Sequence, residues 1–205
     1  EFCMYRYIFI FIVFGSLMLS AQNNMDTNSI MYDIVKNRAY ITERDKLTSK
    51  INIFTSWKNT QKYMRENSFR FFKRYGRTLT LEFRYRYPYY FQVASSTPII
   101  FMFDDGSSLE LTNIQKTVYS PFVMGNLRYY EVEVKYKFND DNEFDSFTAK
   151  SISNIRFNFI NNFNENTYED IAISPTATSN WQSNFTMFRD AINKLDEIQN
   201  STNAY

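Results

Sequence analysis

The amino-acid sequence predicts a mainly β domain, an antiparallel sheet or open β-sandwich with one C-terminal amphipathic helix packed on it. Three observations support this fold class. Apolar residues alternate with polar ones in the segments 78–87 and 130–138, which is the period of a half-buried strand. The last apolar series instead recurs every three or four residues, which is the period of a helix. Aromatic residues make up 19% of the chain, and rings are enriched in strands.

The first residues have the pattern of a secretory signal peptide. Arg6 precedes an apolar run, 8–19, and Ala21 supplies a small residue for cleavage. The run is shorter than the roughly 20 residues that span a bilayer, so cleavage is favoured over a retained anchor and no stable membrane span is expected afterwards. We interpret residues 1–21 as a signal peptide, with residues 1–3 as a scar or upstream extension. The protein is therefore expected to be exported to the periplasm, the outer surface or the extracellular space.

The chemistry available to the mature chain is narrow. Cys3 is the single cysteine and the chain has no histidine, so removal of residues 1–21 leaves neither residue type. Disulfides, cysteine nucleophiles, histidine-based triads and structural zinc sites are then excluded. Only 4 glycines are present, and neither phosphate-loop nor dinucleotide-binding spacing occurs. The sequence does not favour an enzyme, and no cofactor is expected.

The net charge of +1 gives no overall field that would attract nucleic acid or a membrane surface. Residues 22–50 are polar and weakly patterned, and we interpret them as a mobile leader. Apolar residues then alternate in 51–57, which predicts a first strand with Trp57 facing the core. A single domain is expected from residue 51 to residue 205, since no composition break divides it.

The next segments predict further strands. Aromatic and basic residues alternate in 69–75, and 78–87 has the clearest strand pattern, which Pro88 ends because proline cannot donate to a ladder. Five consecutive apolar residues at 99–103 predict a central strand covered on both faces. Asp105 and Gly106 then reverse the chain into a half-exposed return strand.

The second half of the chain adds strands and the closing helix. The pattern predicts a strand at 130–138, a loop at 139–142, a short helix at 144–153 and a strand at 155–159. A helix is predicted at 179–199, with Ser179 and Gln182 as a capping box. Its apolar stripe, which we expect to pack on the central strand, consists of Trp181, Phe185, Phe188, Ile192, Leu195 and Ile198.

The most suggestive binding surface is basic and aromatic. Arg70, Arg74, Arg84 and Arg86 alternate with rings, which is a pattern that can bind an anionic partner. The competing interpretation is that strand alternation places arginines outside and rings inside, on opposite faces. Export also disfavours nucleic acid as the partner. The hypothesis is therefore a face for an anionic partner at these four arginines.

Acidic residues suggest two weaker sites. The loop 140–145 offers oxygen ligands for calcium, but it lacks EF-hand spacing, and a solvated hairpin tip is the favoured interpretation. Paired carboxylates could support glycoside hydrolysis. The carboxylates considered for that role are Asp104, Asp105, Glu110, Glu131 and Glu133. Turn chemistry and solvent exposure account for all five, so no catalytic and no metal residue is assigned.

The segments Asp45-Lys46-Leu47-Thr48, 51–57, Phe103-Asp104-Asp105-Gly106 and Ile155-Arg156-Phe157 together resemble those of small exported bacterial proteins of unknown function. The resemblance implies export and a β-rich fold, and no catalytic residue. The favoured hypothesis is an exported, non-catalytic domain that binds an unknown protein or glycan. The alternatives are a carbohydrate-directed protein, either lectin-like or a carboxylate-dependent glycoside hydrolase, and a structural subunit of a surface assembly.

Overall fold

The computed structural model describes residues 40–47, 50–60, 67–115, 117 and 119–202. The predicted signal peptide and most of the predicted leader lie outside these residues. The described chain has eleven strands: β1 (Tyr40–Arg44), β2 (Ile51–Thr55), β3 (Lys58–Asn59), β4 (Ser68–Lys73), β5 (Thr80–Tyr87), β6 (Pro98–Phe103), β7 (Ser108–Asn113), β8 (Tyr119–Met124), β9 (Leu127–Lys137), β10 (Ile152–Ile160) and β11 (Asn166–Ala172). Its helices are α1 (Asp145–Ala149), which follows a 3-10 turn at Asp141–Phe144, and α2 (Pro175–Thr202).

All described strands belong to one antiparallel sheet in the order β1-β2-β4-β5-β9-β7-β6-β10-β11, with β3 paired to β4 and β8 paired to β9. The strands with the clearest alternation, β5 and β9, lie side by side over eight register pairs. The predicted fold class is confirmed, since the sheet is antiparallel and the C-terminal helix packs on it.

The sheet folds back on itself. Only two register pairs join β9 to β7, and beyond this weak joint the inner face of β10 meets the inner face of β5, although the two strands are four positions apart. Phe157 of β10 lies 5.1 Å from Phe83 and 4.3 Å from Tyr85, measured between ring centroids. The two halves of the sheet therefore share one aromatic core.

Helix α2 covers the inner face of the first half of the sheet. Trp181 lies 5.4 Å from Phe69 of β4, and Phe188 lies 6.3 Å from Tyr40 of β1. The predicted stripe is confirmed as core, because all six of its residues, Trp181, Phe185, Phe188, Ile192, Leu195 and Ile198, are buried. Its main partners are β1, β2, β4 and α1, not the central strand β6 that we expected. On β6, Phe101 is covered by rings from β4 and α1.

Helix α2 begins earlier than predicted. Ser174 is its N-cap, since both its carbonyl and its hydroxyl oxygen accept from the Ala177 amide, at 3.0 and 3.2 Å. Pro175 then occupies the first helical position, where its missing N–H is not needed. Ser179 lies inside the helix and donates to the Thr176 carbonyl, so the predicted capping box is wrong.

The sheet also begins earlier than predicted. Residues 40–44 fall in the segment interpreted as a mobile leader, yet they form β1, which pairs with β2 over five register pairs. Tyr40 is buried under Phe188 of α2. The sequence pattern did not predict this strand because most of its residues are polar and face solvent. Tyr40 is its one buried residue.

The central strand β6 is covered on one face only, which corrects the expectation of two. Ile99, Phe101 and Phe103 are buried, whereas Ile100 and Met102 are half-buried on the outer face. A run of apolar residues cannot distinguish one buried face from two, because both faces carry apolar side chains either way. The outer face of β6 therefore offers apolar surface to the solvent.

We expect Phe185→Ala to lower the free energy of unfolding by about 3–5 kcal/mol, because it opens a cavity between α2 and the rings of β4 and α1. Phe185 is buried and lies 5.2 Å from Phe71. Urea unfolding of the full chain measures the change. Met187→Ala is the matched control, since Met187 is two residues away and 44% exposed. Equal losses in the two variants would contradict the packing described.

Candidate functional site

Three of the four predicted arginines are neutralised by carboxylates on the neighbouring strand. Arg70 Nη2 lies 2.6 Å from Glu82 Oε2, and Arg84 Nη2 lies 3.3 Å from Glu133 Oε2. Arg86 pairs with Glu131. Each pair joins residues that are directly opposite in register, where opposite charges attract. We call this set the charge ladder, and it has little positive charge left for a partner.

Trp57 lies on the outer face between two arginines, so the prediction that it faces the core is wrong. The guanidinium carbons of Arg70 and Arg84 lie 4.6 and 4.3 Å from the Trp57 ring centroid. The alternation reverses because β2 ends at Thr55 and β3 starts at Lys58, so Lys58 takes the buried side instead. Rings and cations thus share this face, which removes the objection that alternation separates them.

Arg74, the fourth predicted arginine, lies at the edge of a groove of about 490 Å³. We call it the basic groove; its lining consists of Phe72, Arg74, Arg77, Thr78, Thr80, Ile114, Gln115 and Lys135. Arg74 lies 5.2 Å from the Phe72 ring, and the amide of Arg77 donates to the Arg74 carbonyl in the turn that Gly76 allows with its φ of +68°. The two arginines therefore flank one turn, and both line the groove.

The basic groove differs from the charge ladder in its charge balance. Among the described residues, no carboxylate forms an ion pair with Arg74 or Arg77, and both are exposed. Lys135 adds a third cation, although its Nζ is shared with Glu82 at 3.1 Å. The groove lining carries no carboxylate. The four arginines assigned from the sequence did not include Arg77, although it ends the basic aromatic stretch that begins at Arg70. Lys135 was not considered, since only the folded chain shows that it lines the same groove.

The acidic loop 140–145 is a structural junction. Asp141 pairs with the buried Lys73 and accepts from the Leu79 amide at 2.9 Å. Asp145 pairs with Arg189 of α2 at 2.7 Å. Within the described residues, no group of three or more acidic, cysteine or histidine side chains is placed to hold a metal ion. The structure thus directs Asp141 and Asp145 towards protein partners, while Asp140, Asn142 and Asp145 stay exposed at the tip.

The predicted short helix at 144–153 is only partly correct. Phe144 ends the 3-10 turn, α1 stops at Ala149, and β10 begins at Ile152. Phe144 and Phe147 are fully buried under Phe185. The acidic loop and the residues that follow it therefore contribute two aromatic rings to the core.

The carboxylates considered for hydrolysis do not converge in a described groove. Asp105 closes the hairpin turn, where hydrogen bonds from Lys150 and Ser107 hold its pKa well below its usual range. Asp104 accepts from the Ser151 amide at 3.3 Å. Glu131 and Glu133 belong to the charge ladder, and Glu110 is exposed opposite Ile100.

Burial shifts the pKa of two groups in the core. Lys58 is 6% exposed, and its Nζ contacts the Ser56 hydroxyl at 3.2 Å and the Phe185 ring at 5.9 Å. Burial lowers the pKa of the Lys58 amine. Burial likewise raises the pKa of Tyr136, whose hydroxyl has no hydrogen-bond partner among the described residues. Both groups lie inside the core, away from the grooves.

The chain matches no protein-family model, no curated protein and no solved structure. In the described part of the chain, no helix combines the length and the apolar character needed to cross a membrane.

We expect Lys58→Met to raise the free energy of unfolding at pH 7, with a gain that shrinks as the pH approaches 10.5, the usual pKa of lysine. The folded state holds the proton of Lys58 less tightly than the unfolded state. Between the two pKa values the unfolded chain binds more protons than the folded chain, so Lys58 makes the free energy of unfolding of the parent rise with pH. The variant lacks this contribution because methionine does not titrate. Urea unfolding at several pH values between 7 and 10.5 measures the difference.

The control is Lys46→Met, at an exposed residue, which should change stability by less than about 0.5 kcal/mol. A Lys58→Met variant that is less stable than the parent at pH 7 would show that the ammonium stabilises the core.

Proposed function

We propose that this protein is an exported, non-catalytic binding domain that holds an anionic group of its ligand in the basic groove. The observation that carries the proposal is the contrast between Arg74 and Arg77, which have no described carboxylate partner, and the arginines of the charge ladder, which have one. Export is supported by the signal-peptide pattern of residues 1–21.

The lining of the groove suits a carboxylate or phosphate group. Guanidinium groups donate in a planar fork that matches both anions. Thr78, Thr80 and Gln115 add neutral hydrogen-bonding groups beside the two arginines, while Phe72 and Ile114 supply apolar contact. A volume of about 490 Å³ falls in the range of ligand pockets. A groove without carboxylates favours binding over acid–base chemistry.

The surroundings restrict where an anion can bind. The charge ladder adjoins the basic groove, and its arginines and glutamates cancel one another over short distances. With a net charge of only +1, the whole chain exerts little long-range attraction. Anion binding is therefore proposed as local recognition, with a partner that is an unknown protein or an acidic glycan.

We expect the parent chain to bind inorganic pyrophosphate or trigalacturonate in isothermal titration at low salt, and binding to weaken as salt is added. The Arg74→Ser/Arg77→Ser variant should lose affinity by about tenfold or more, because hydrogen bonds to charged groups contribute roughly 1.5–3 kcal/mol each.

The matched control is Lys46→Ser/Arg128→Ser, which removes two positive charges from exposed residues outside the groove. It should retain the affinity of the parent. The proposal is wrong if the parent binds neither probe, or if the two double variants bind equally well.

A further inference from the structure

A second groove, of about 430 Å³, lies on the outer face of the other half of the sheet. We call it the tyrosine groove, and define it by Pro98, Ile100, Arg156, Asn158, Asn166 and Tyr168. It shares no residue with the basic groove. Its apolar floor is the exposed side of β6, which the sequence had placed in the interior.

Cross-strand pairing arranges this groove in two rows. Ile100 is opposite Arg156, and Arg156 is opposite Asp170. Asn158 is opposite Tyr168, and its Nδ2 donates to the Pro98 carbonyl at 3.0 Å. Strands β6, β10 and β11 therefore each present one side chain per row on a rigid sheet.

The ring of Tyr168 is exposed but held in place. Its side chain is 56% exposed, and the guanidinium carbon of Arg156 lies 4.2 Å from its ring centroid. Arg156 is in turn fixed by two hydrogen bonds to Asp170, at 2.7 and 2.8 Å. Because Arg156 occupies one face of the ring, a ligand would stack on the opposite face, where it would meet a preorganised ring and lose little conformational entropy.

The chemistry around this ring is polar but close to neutral. The Arg156 charge is compensated by Asp170, so the groove offers no free cation comparable with Arg74. Asn158 and Asn166 supply amide groups, and Thr97 and Thr167 supply hydroxyl groups. Pro98 and Ile100 add apolar contact. A ligand that has one apolar face and many hydroxyl groups fits this combination, and a sugar ring is such a ligand.

We propose that the tyrosine groove binds a neutral saccharide, with one sugar ring stacked on Tyr168 and its hydroxyl groups hydrogen-bonded to Asn158 and Asn166. The site goes beyond the proposed anion binding, because it lies on different strands and uses different chemistry. An anion would find the donors of Arg156 already used by Asp170. The failure of either site would leave the other unaffected.

The groove lies at the edge of the sheet. Strand β11 is at the end of the strand order, so no described strand covers the side of Tyr168 that faces away from β10. Phe163, which is 76% exposed, lies in the turn that connects β10 to β11. The same hairpin therefore carries two exposed rings.

The test is isothermal titration of the full chain with maltohexaose, cellohexaose, xylohexaose and mannohexaose. We expect at least one of these neutral probes to bind. Tyr168→Ala should weaken that binding by about tenfold, which corresponds to the loss of one stacking contact of ~1.4 kcal/mol. Tyr168→Phe keeps the ring and should restore most of the affinity.

Two controls separate this site from other causes. Tyr89→Ala removes another exposed ring, at 61% exposure, outside the groove and should bind as the parent does. The Arg74→Ser/Arg77→Ser variant should also bind as the parent does. The inference is overturned if none of the four probes binds or if Tyr168→Ala retains the parent affinity. It is also overturned if the parent binds an extended peptide that pairs with β11, and not a saccharide, and Tyr168→Ala loses that peptide.

Discussion

The structure depends on one interaction, the packing of aromatic rings in a shared core. The rings come from both halves of the folded-over sheet and from the helices α1 and α2. Phe71 is at the centre of it, with ring centroids of Phe144, Phe147 and Phe185 at 4.7, 4.8 and 5.2 Å. The chain has no disulfide available in this part of the sequence, so burial must offset the entropy of ordering the sheet. This packing buries the inner face of the sheet. The outer face of the sheet, which this packing leaves uncovered, is where both proposed binding grooves lie.

Local periodicity predicted the elements that depend on local pattern alone. β5, β9 and the stripe of α2 follow from spacings of two and of three or four residues, and the structure confirms them. Elements decided by tertiary contact were not predictable in this way. β1 is polar and is held through Tyr40, and the exchange of Trp57 with Lys58 follows from a break between β2 and β3.

The candidate site shows the same division. Sequence alone named Arg70, Arg74, Arg84 and Arg86, since arginines beside rings are visible in any strand pattern. It could not show which of them are neutralised. Arg84 and Glu133 are 49 residues apart, and only the register of β5 with β9 sets them opposite each other. The same limit hid the tyrosine groove, because Ile100, Arg156 and Tyr168 meet only through the pairing of three strands.

The charge ladder shows that an arginine on the surface is not always available to bind an anion, because a neighbouring carboxylate can neutralise it. The pairs differ in exposure, from Glu82 at 4% to Glu133 at 38% of the side chain, but they share one effect, which is to cancel arginines that would otherwise form a broad basic stripe. The cancellation leaves Arg74 and Arg77 as a confined pair, and it leaves the half of the sheet around Tyr168 nearly neutral. The outer face then carries the two proposed sites, one for an anion and one for a hydroxyl-rich ring. Specificity in such a face comes from which cations are left unpaired, and that depends on strand register more than on composition.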